Sequence, residues 1–288
     1  MAYKTEFQSN NADLQSILNT INAMFGGSEI ESSSFVPTNS GGSTYKSKFS
    51  DNNIDLQRLL DMALALPDLP SYDPVFANNT WEQIIQACQN NEVPSTWVAG
   101  DQKKMLINGT EYGIDIIGKN HDTYSDGSGT APLTFQMHEC YTTTYPMNSS
   151  RTNVGGWKDS VMRTTTLPSL LQLMPTEVQT AIRAVDKRSS AGNKSTDIVV
   201  TSDKLFLLSA VEVHPKSTVE SEDNHASSFA VSLDEGTQYE YYANGGTWVK
   251  SILGKTGTTF WALRSPNFAD SVTFIIVENS TTYHISQG

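Results

Sequence analysis

A short segment near the N-terminus occurs twice in this chain, and this repeat constrains the fold more than any other feature. Residues 3–18 contain YKTEF and then NNADLQSIL, and residues 45–60 contain YKSKF and then NNIDLQRLL. Apolar residues in each copy lie three and four positions apart, which is helical spacing. The repeat therefore predicts two amphipathic helices. Their apolar positions are Leu14, Ile17, Leu18 and Ile21 in the first copy, and Leu56, Leu59, Leu60 and Ala63 in the second.

Each repeated helix is short, because a glycine pair follows the first copy and a proline follows the second. Isolated helices of about 12–15 residues are marginal in water, so each one needs a partner. The partner is either the chain's own domain or a neighbouring subunit in a larger assembly. The second is favoured, since a duplicated anchor gains avidity. We therefore expect an anchor or oligomerisation region over residues 1–74, with repeats at 3–24 and 45–66, and one domain over 75–288.

The charge of the chain argues against binding to nucleic acid. The 19 basic and 31 acidic residues give a formal net charge of −12, which repels phosphates and anionic membranes. The nearest basic cluster, Arg183, Lys187 and Arg188, is interrupted by Asp186, and we interpret it as the solvated end of a helix. No run of 18 apolar residues and no apolar leader is present. Neither membrane insertion nor secretion is therefore expected.

Motifs that carry chemistry are not found. Cys88 and Cys140 have no nearby Cys or His partner in the sequence, and we interpret them as buried thiols rather than a disulfide or a metal site. The nucleophile motif Gly-x-Ser-x-Gly does not occur, and no histidine lies in a context typical of a catalytic triad. Residues 120–129 are rich in oxygen ligands, but their spacing favours a turn over a calcium loop. We expect no cofactor, no metal and no enzymatic activity.

Local signals place several helices and strands. Thr80 and Gln83 form a capping box before an apolar run, and Asn108-Gly109 is typical of a β-hairpin. Pro168 and Pro175 punctuate two short helical stretches within residues 167–185. Helices and strands mix without βαβ alternation, which predicts an α+β fold. The hairpin strands are expected at 103–107 and 111–117, and further strands at 197–200, 205–208, 248–253, 259–263 and 272–277.

Six strings, in order between residues 80 and 278, resemble an uncharacterised domain family that is common in prophages of gut Gram-positive bacteria. That family ends in a Trp-x-Leu-Arg-Ser-Pro motif. The strings are Asn120-His121-Asp122, Met147-Asn148-Ser149, Gly155-Gly156-Trp157, DKLFLLS at 203–209, EGTQYEYY at 235–242 and WALRSP at 261–266.

The resemblance implies a C-type lectin-like fold, which is used by phage receptor-binding proteins and by the formylglycine-generating enzymes. The first relationship implies ligand display. The second would imply oxidation with copper held by two cysteines, but Cys88 and Cys140 match no such motif, so no catalytic residue is carried over. The residues themselves indicate a scaffold, because Arg264 offers five N–H donors and paired glycines allow close backbone approach. The scaffold positions are Gly155, Gly156, Trp157, Asp203, Tyr239, Trp261 and Arg264.

The resemblance further implies a structural virion protein of the tail, baseplate or fibre. Ligand contacts are expected from loops 215–230 and 243–258 and from Tyr242, Trp248 and Trp261, with a host surface glycan as the ligand. Other virion proteins would bind the N-terminal repeats, and paired short helices suit a homo-oligomer, with a trimer favoured. The protein would be assembled in the bacterial cytoplasm and reside in the virion. The alternatives are a decoration or fibre subunit without a receptor, and a glycan- or protein-modifying enzyme.

Overall fold

The structure is a computed structural model that describes residues 72–217 and 232–277. All of these residues belong to a unit that begins at Tyr72. The two repeated helices and most of the expected ligand loop at 215–230 lie outside the described residues. The anchor positions outside them are Leu14, Ile17, Leu18, Ile21, Leu56, Leu59, Leu60 and Ala63.

Helix α1 (Trp81–Gln89) begins at the expected capping box. The backbone N–H of Gln83 donates to the Thr80 hydroxyl, and the Thr80 N–H donates to the Gln83 side chain. This reciprocal pair satisfies two donors that the first turn would otherwise leave free. The helix buries Ile84 and Ala87 against a cluster that also contains Phe76, from the 3₁₀ turn Phe76–Asn78, and Trp97.

A three-stranded antiparallel sheet follows, in the order β1 (Gln102–Ile107), β2 (Thr110–Lys119) and β3 (Leu133–Met137). The hairpin between β1 and β2 is confirmed, because Ile107 pairs with Thr110 across the two-residue turn. Both turn residues, Asn108 and Gly109, have positive φ angles of 49° and 73°. Asn-Gly tolerates this left-handed conformation better than other residue pairs, which explains why the prediction succeeded.

Four short helical segments cross the middle of the chain: α2 (Gly156–Asp159), a π-helical turn (Met162–Thr166), α3 (Leu167–Leu171) and α4 (Thr176–Ala181). The two proline-punctuated helices are therefore confirmed. Pro168 lies in the first turn of α3, directly after the π-helical turn. Pro175 directly precedes α4, where a missing N–H costs no helical hydrogen bond.

The last part of the described chain contains two antiparallel strand pairs, and two short helices lie between the first pair and the second. Strand β4 (Val185–Ser190) pairs with β5 (Ile198–Asp203), and β6 (Trp261–Pro266) pairs with β7 (Phe274–Val277). The helices are α5 (Ala210–Val213) and α6 (Glu240–Ala243), and a 3₁₀ turn spans Ser232–Asp234. Apolar side chains of α5, α6, β6 and β7 share one core with Ile117 of β2.

Three sequence interpretations are wrong. Residues 205–208 and 248–253 are not strands, because the first makes only isolated hydrogen bonds to β6 and the second only two isolated bridges. The segment containing Arg183, Asp186, Lys187 and Arg188 is not the end of a helix. Its last three members belong to β4, and Lys187 points inward with 2% of its surface exposed. Side chains of a strand point alternately to its two faces, so the neighbours of Lys187 are exposed while Lys187 itself is buried. The partners of Lys187 come from distant parts of the sequence.

The described residues therefore form an α+β fold in which the sheets are separate and every strand pair is antiparallel. No helix among these residues has the length and apolarity needed to cross a membrane.

Candidate functional site

Lys187 lies at the centre of a buried group of ionisable side chains. Its ammonium nitrogen lies 2.7 Å from Asp122 Oδ1, 2.7 Å from Glu212 Oε1 and 3.0 Å from the Tyr239 hydroxyl. An ammonium has three N–H donors, so each one has an acceptor. The ring of Phe206 covers a further side of the ammonium at 4.2 Å. The charge is thus enclosed and fully paired.

Arg264 of β6 is the second buried cation, with none of its surface exposed. Two of its donors form a bidentate pair with the Glu212 carboxylate at 2.5 and 2.8 Å. The other three donate to backbone carbonyl oxygens. These acceptors are the carbonyls of Arg188 at 3.1 Å, Leu207 at 2.8 Å and Glu235 at 2.8 Å. One side chain therefore connects β4, β6 and the two segments that flank α5 and α6.

Glu212 of α5 joins the two cations, since one oxygen faces Lys187 and both face Arg264. Burial alone would raise the pKa of Glu212, but the charges of Arg264 and Lys187 hold this pKa below its ordinary value. The carboxylate is therefore ionised. Asp122, Lys187, Glu212 and Arg264 form a chain of alternating charge, which we call the buried ion chain.

Asp122 ends the buried ion chain on the side of the three-stranded sheet. Its oxygens also accept from the hydroxyls of Tyr239, at 2.8 Å, and Thr134, at 2.6 Å. Burial raises the pKa of Asp122, but the neighbouring His121 and Lys187 outweigh burial and bring this pKa well below its usual range. Asp122 comes from the oxygen-rich stretch that we interpreted as a turn. Its carboxylate is occupied by partners within the protein.

Glu235 is the third buried carboxyl of this region, and none of its surface is exposed. Its carboxyl accepts the Ser190 N–H at 2.7 Å and forms a short hydrogen bond with the Ser265 hydroxyl. Burial raises the pKa of Glu235 to about 7. Asp122 and Glu212 each contact a cation, whereas the hydrogen-bond donors to the Glu235 carboxyl are uncharged.

A second buried group surrounds Asp203 at the end of β5. Its carboxylate accepts from the Trp157 indole N–H at 2.9 Å, from Arg163 Nε at 2.6 Å and from the Thr201 hydroxyl at 2.6 Å. The glycine pair before Trp157 has positive φ angles, 84° at Gly155 and 59° at Gly156. A Cβ on Gly156 would lie 2.1 Å from the Ser190 carbonyl oxygen, so α2 can approach β4 only with glycine there.

The three expected ligand contacts do not share one environment. Tyr242 is buried, with 4% of its surface exposed, and its hydroxyl donates to Gln136. Trp248 and Trp261 are half-buried and adjacent, because the Trp261 indole N–H donates to the Trp248 carbonyl at 2.9 Å. Phe260, the neighbour of Trp261 in sequence, is 55% exposed. We call Trp248, Phe260 and Trp261 the aromatic patch.

His138 makes the contact that most resembles catalytic machinery. Its Nδ1 lies 2.8 Å from Asp115 Oδ2, and Gln102 donates to the other carboxylate oxygen at 2.8 Å. The imidazole is 45% exposed while Asp115 is buried. Among the described residues, no hydroxyl or thiol is hydrogen-bonded to the other ring nitrogen of His138. The pair therefore has the histidine and the carboxylate of a triad without a nucleophile in contact.

The cysteines and acidic residues give no metal site within the described ranges. No group of three Cys, His, Asp or Glu side chains there could hold a metal ion. Both cysteines are free thiols, and burial raises the pKa of Cys88 to about 12. A thiol with so high a pKa is a poor nucleophile near neutral pH.

Sequence reasoning identified Arg264, Asp203 and Trp157 but missed Lys187, Glu212 and Glu235. Lys187 lies in a string that looks like ordinary solvated surface, and Glu235 lies in the family string at 235–242, where it was not chosen as a scaffold position. One signal could have found Glu212: the run Ser209-Ala-Val-Glu-Val is otherwise apolar, and an acid inside such a run needs a buried partner. No comparable local signal distinguishes Lys187 from its exposed neighbours in β4.

Comparison with known proteins gives one match. No curated protein and no solved structure matches the chain. Residues 133–287 match DUF6273, a domain of unknown function, and this segment contains Lys187, Glu212, Glu235 and Arg264. The matched segment makes up more than half of the sequence. The chain therefore belongs to the DUF6273 family.

Proposed function

We propose that this chain is a structural virion protein of a bacteriophage, associated with the tail, baseplate or fibre, that displays a C-type lectin-like domain for attachment to the host surface. The observation that carries the proposal is the pairing within the buried ion chain. Every donor of Lys187 and Arg264 is used inside the protein. Groups enclosed in this way hold loops in place, and a binding domain needs such a support.

The aromatic patch is suited to bind a ligand with apolar faces, such as a sugar ring. Phe260 is the most exposed of the three rings, while the indole of Trp261 is fixed by its hydrogen bond to Trp248. Residues 243–258, which include Trp248 and lead to Phe260, contain four glycines, and more than half of these residues are exposed. A host surface glycan is therefore the ligand that we propose. The negative net charge of the chain favours a neutral or cationic glycan over an anionic one.

The N-terminal repeats are proposed as the attachment to other virion proteins, with a homotrimer as the favoured assembly. Their support is the duplication of one amphipathic unit in the sequence. Deletion of residues 1–66 should abolish incorporation into phage particles. Normal incorporation of the deleted protein would refute the anchor.

Binding of the full-length protein to host cells tests the display function. We expect Phe260→Ala to weaken binding about tenfold, since a buried aromatic contact contributes on the order of 1–3 kcal/mol. The matched control is Val200→Ala, an apolar residue of similar exposure on β5 that should leave binding unchanged. Equal affinity of the wild type and Phe260→Ala would exclude the patch, and an absence of binding by all three proteins would favour a decoration role.

A decoration or fibre subunit without a receptor is the second candidate, and one contact favours it. The Asn108 N–H donates to the Leu173 carbonyl, which places the β1–β2 hairpin beside Leu173. Leu106 of that hairpin and Leu173 are both exposed, as expected for a contact with another protein. Locating the protein in an intact particle would distinguish the two candidates. A receptor-binding domain should face outward, and a decoration subunit should have this surface covered by neighbouring proteins.

The enzyme alternative rests on the pair formed by His138 and Asp115. If the chain hydrolyses host glycans or proteins, Asp115→Asn should abolish turnover while leaving affinity for the substrate intact. Turnover that is unaffected by this substitution would remove the only geometric support for catalysis that the described residues provide.

A further inference from the structure

The balance of buried charges indicates that the Glu235 carboxyl is neutral. The buried ion chain contains two cations, Lys187 and Arg264, and two carboxylates, Asp122 and Glu212. It is electrically neutral by itself. An ionised Glu235 would therefore add a negative charge that no cation in this region is free to neutralise, and uncompensated buried charges are among the most costly features of a fold.

The hydrogen bonds of Glu235 are compatible with a neutral carboxyl. One oxygen accepts the Ser190 N–H, as a carbonyl oxygen would. The other accepts the short bond from the Ser265 hydroxyl, whose oxygen accepts the Ala210 N–H at 3.0 Å. Arg264 approaches the Glu235 backbone carbonyl and not its carboxyl. Protonation of Glu235 would reverse the bond to Ser265, so that the carboxyl donates to the hydroxyl oxygen, and would leave the contact with the Ser190 N–H unchanged.

The charged and titratable groups that face Glu235 come from three directions. Arg264 lies on β6, Glu212 lies on α5, and Lys187 lies on β4 beyond Glu212. Burial is the largest influence on the pKa of Glu235 and raises it. The charge of Arg264 and the hydrogen bonds from Ser265 and Ser190 lower this pKa, and the charge of Glu212 raises it. The backbone carbonyl of the neighbouring Asp234 accepts from Arg188 Nε at 2.9 Å, and Arg188 is exposed.

We propose that Glu235 is a proton-dependent latch, which holds the segment between Ser232 and Tyr239 against β4 and β6 while its carboxyl is neutral and loosens that segment when it ionises. The segment is bound at several points to elements that surround it. Glu235 contacts Ser190 and Ser265, the Asp234 carbonyl accepts from Arg188, and the Tyr239 N–H donates to the Glu212 carbonyl. This latch is independent of host attachment, so it does not rest on the proposed function.

The direction of the effect follows from proton linkage. The unfolded chain ionises Glu235 near its ordinary pKa of 4.5, while the folded protein retains the proton up to about pH 7. The stabilising contribution of the neutral carboxyl is therefore complete below pH 4.5 and is lost as the pH rises through 7. Each unit of separation between the two pKa values changes the unfolding equilibrium about tenfold.

Infrared difference spectroscopy on the full-length protein tests the latch directly. Glu235→Gln keeps the shape of the neutral carboxyl but cannot ionise. The wild-type minus Glu235→Gln spectrum should show a protonated, buried carboxyl at pH 5.5 that disappears by pH 8.5. Glu240→Gln, an exposed carboxyl five positions away, should produce no such band. An ionised Glu235 carboxyl at pH 5.5 overturns the proposal.

Hydrogen exchange provides the second readout. Protection of the Ser190 amide, corrected for the intrinsic pH dependence of exchange, should fall on the order of tenfold or more between pH 5.5 and 8.5 in the wild type. It should stay constant in Glu235→Gln. Equal pH profiles in both proteins overturn the latch. If Glu235→Gln does not fold, the wild-type carboxyl titration by ¹³C nuclear magnetic resonance decides the question, since an ordinary or lowered apparent pKa for every glutamate would exclude the latch.

Discussion

The ammonium group of Lys187 and the carboxylate of Glu212 lie 2.7 Å apart inside the domain, and both side chains are almost completely buried. The two residues are far apart in sequence, on β4 and α5, so their contact depends on the finished fold. A buried ion pair adds little net stability compared with an apolar replacement of both partners. Its effect is selective, because only one arrangement of β4, α5 and β6 satisfies all of the charges.

Loss of the Lys187 charge should therefore be costly. Lys187→Met keeps most of the side-chain volume but leaves the Asp122 carboxylate without its cation. We expect the free energy of unfolding to fall by about 3–5 kcal/mol, as measured by urea denaturation. Lys104→Met is the matched control, since Lys104 is half-exposed and lies 3.8 Å from Glu139. Its cost should be about 0–1 kcal/mol. Similar costs for the two variants would contradict the central role of Lys187.

The same pair shows what the sequence could predict. The capping box at Thr80, the Asn108-Gly109 turn and the proline-bounded helices were predicted correctly because their signals are contained within a few neighbouring residues. The burial of Lys187 was not predicted. Its three acceptors come from positions 122, 212 and 239, and no local pattern around β4 encodes them.

Two expected strands failed for a related reason. Residues 205–208 and 248–253 have β-forming side chains, but a strand requires a partner in register as well as propensity. The Leu207 and Leu208 carbonyls instead accept from the side chain and the backbone of Arg264. Of the candidate site, Arg264, Trp157 and Asp203 were identified, while Glu212, the carboxylate that pairs with Arg264, was not.

Removal of the Trp157 indole donor should destabilise the second buried group. Trp157→Phe leaves Asp203 with Arg163 and Thr201 but takes away a hydrogen bond to a buried carboxylate and leaves a small cavity. We expect a loss of about 3 kcal/mol by urea denaturation. The control is Trp248→Phe, at a half-buried position in the aromatic patch, which should cost roughly 1 kcal/mol or less. A larger cost at Trp248 than at Trp157 would contradict this assignment.

Acid should destabilise the domain partly through His214. Burial lowers the pKa of His214 to about 4, while the unfolded chain binds this proton near pH 6.5. The unfolded state therefore holds more protons between these values, so stability is lost as the pH falls from about 6.5 towards 4. The full effect is on the order of 3 kcal/mol. His214→Gln should flatten this acid limb in thermal denaturation measured from pH 7 to pH 4, and an unchanged slope would contradict the prediction.

Two glycines with positive φ angles allow backbone strain to be separated from steric exclusion. Gly109 has a φ of 73° and open space around the position of a Cβ, whereas Gly156 has a φ of 59° and a Cβ there would lie 2.1 Å from the Ser190 carbonyl oxygen. Gly109→Ala should therefore cost only the left-handed conformation, about 1–2 kcal/mol.

Gly156→Ala should cost the same strain and in addition force α2 away from β4. That displacement pulls Trp157 from Asp203 and disturbs the Ser190 amide that Glu235 accepts. We expect a loss of more than about 4 kcal/mol, a range typical of disrupted cores, with a reduced yield of folded protein. Circular dichroism during thermal denaturation of both variants measures the difference. Equal melting temperatures for Gly109→Ala and Gly156→Ala would show that α2 can shift without cost. The close approach of α2 to β4 would then not explain why glycine occupies position 156.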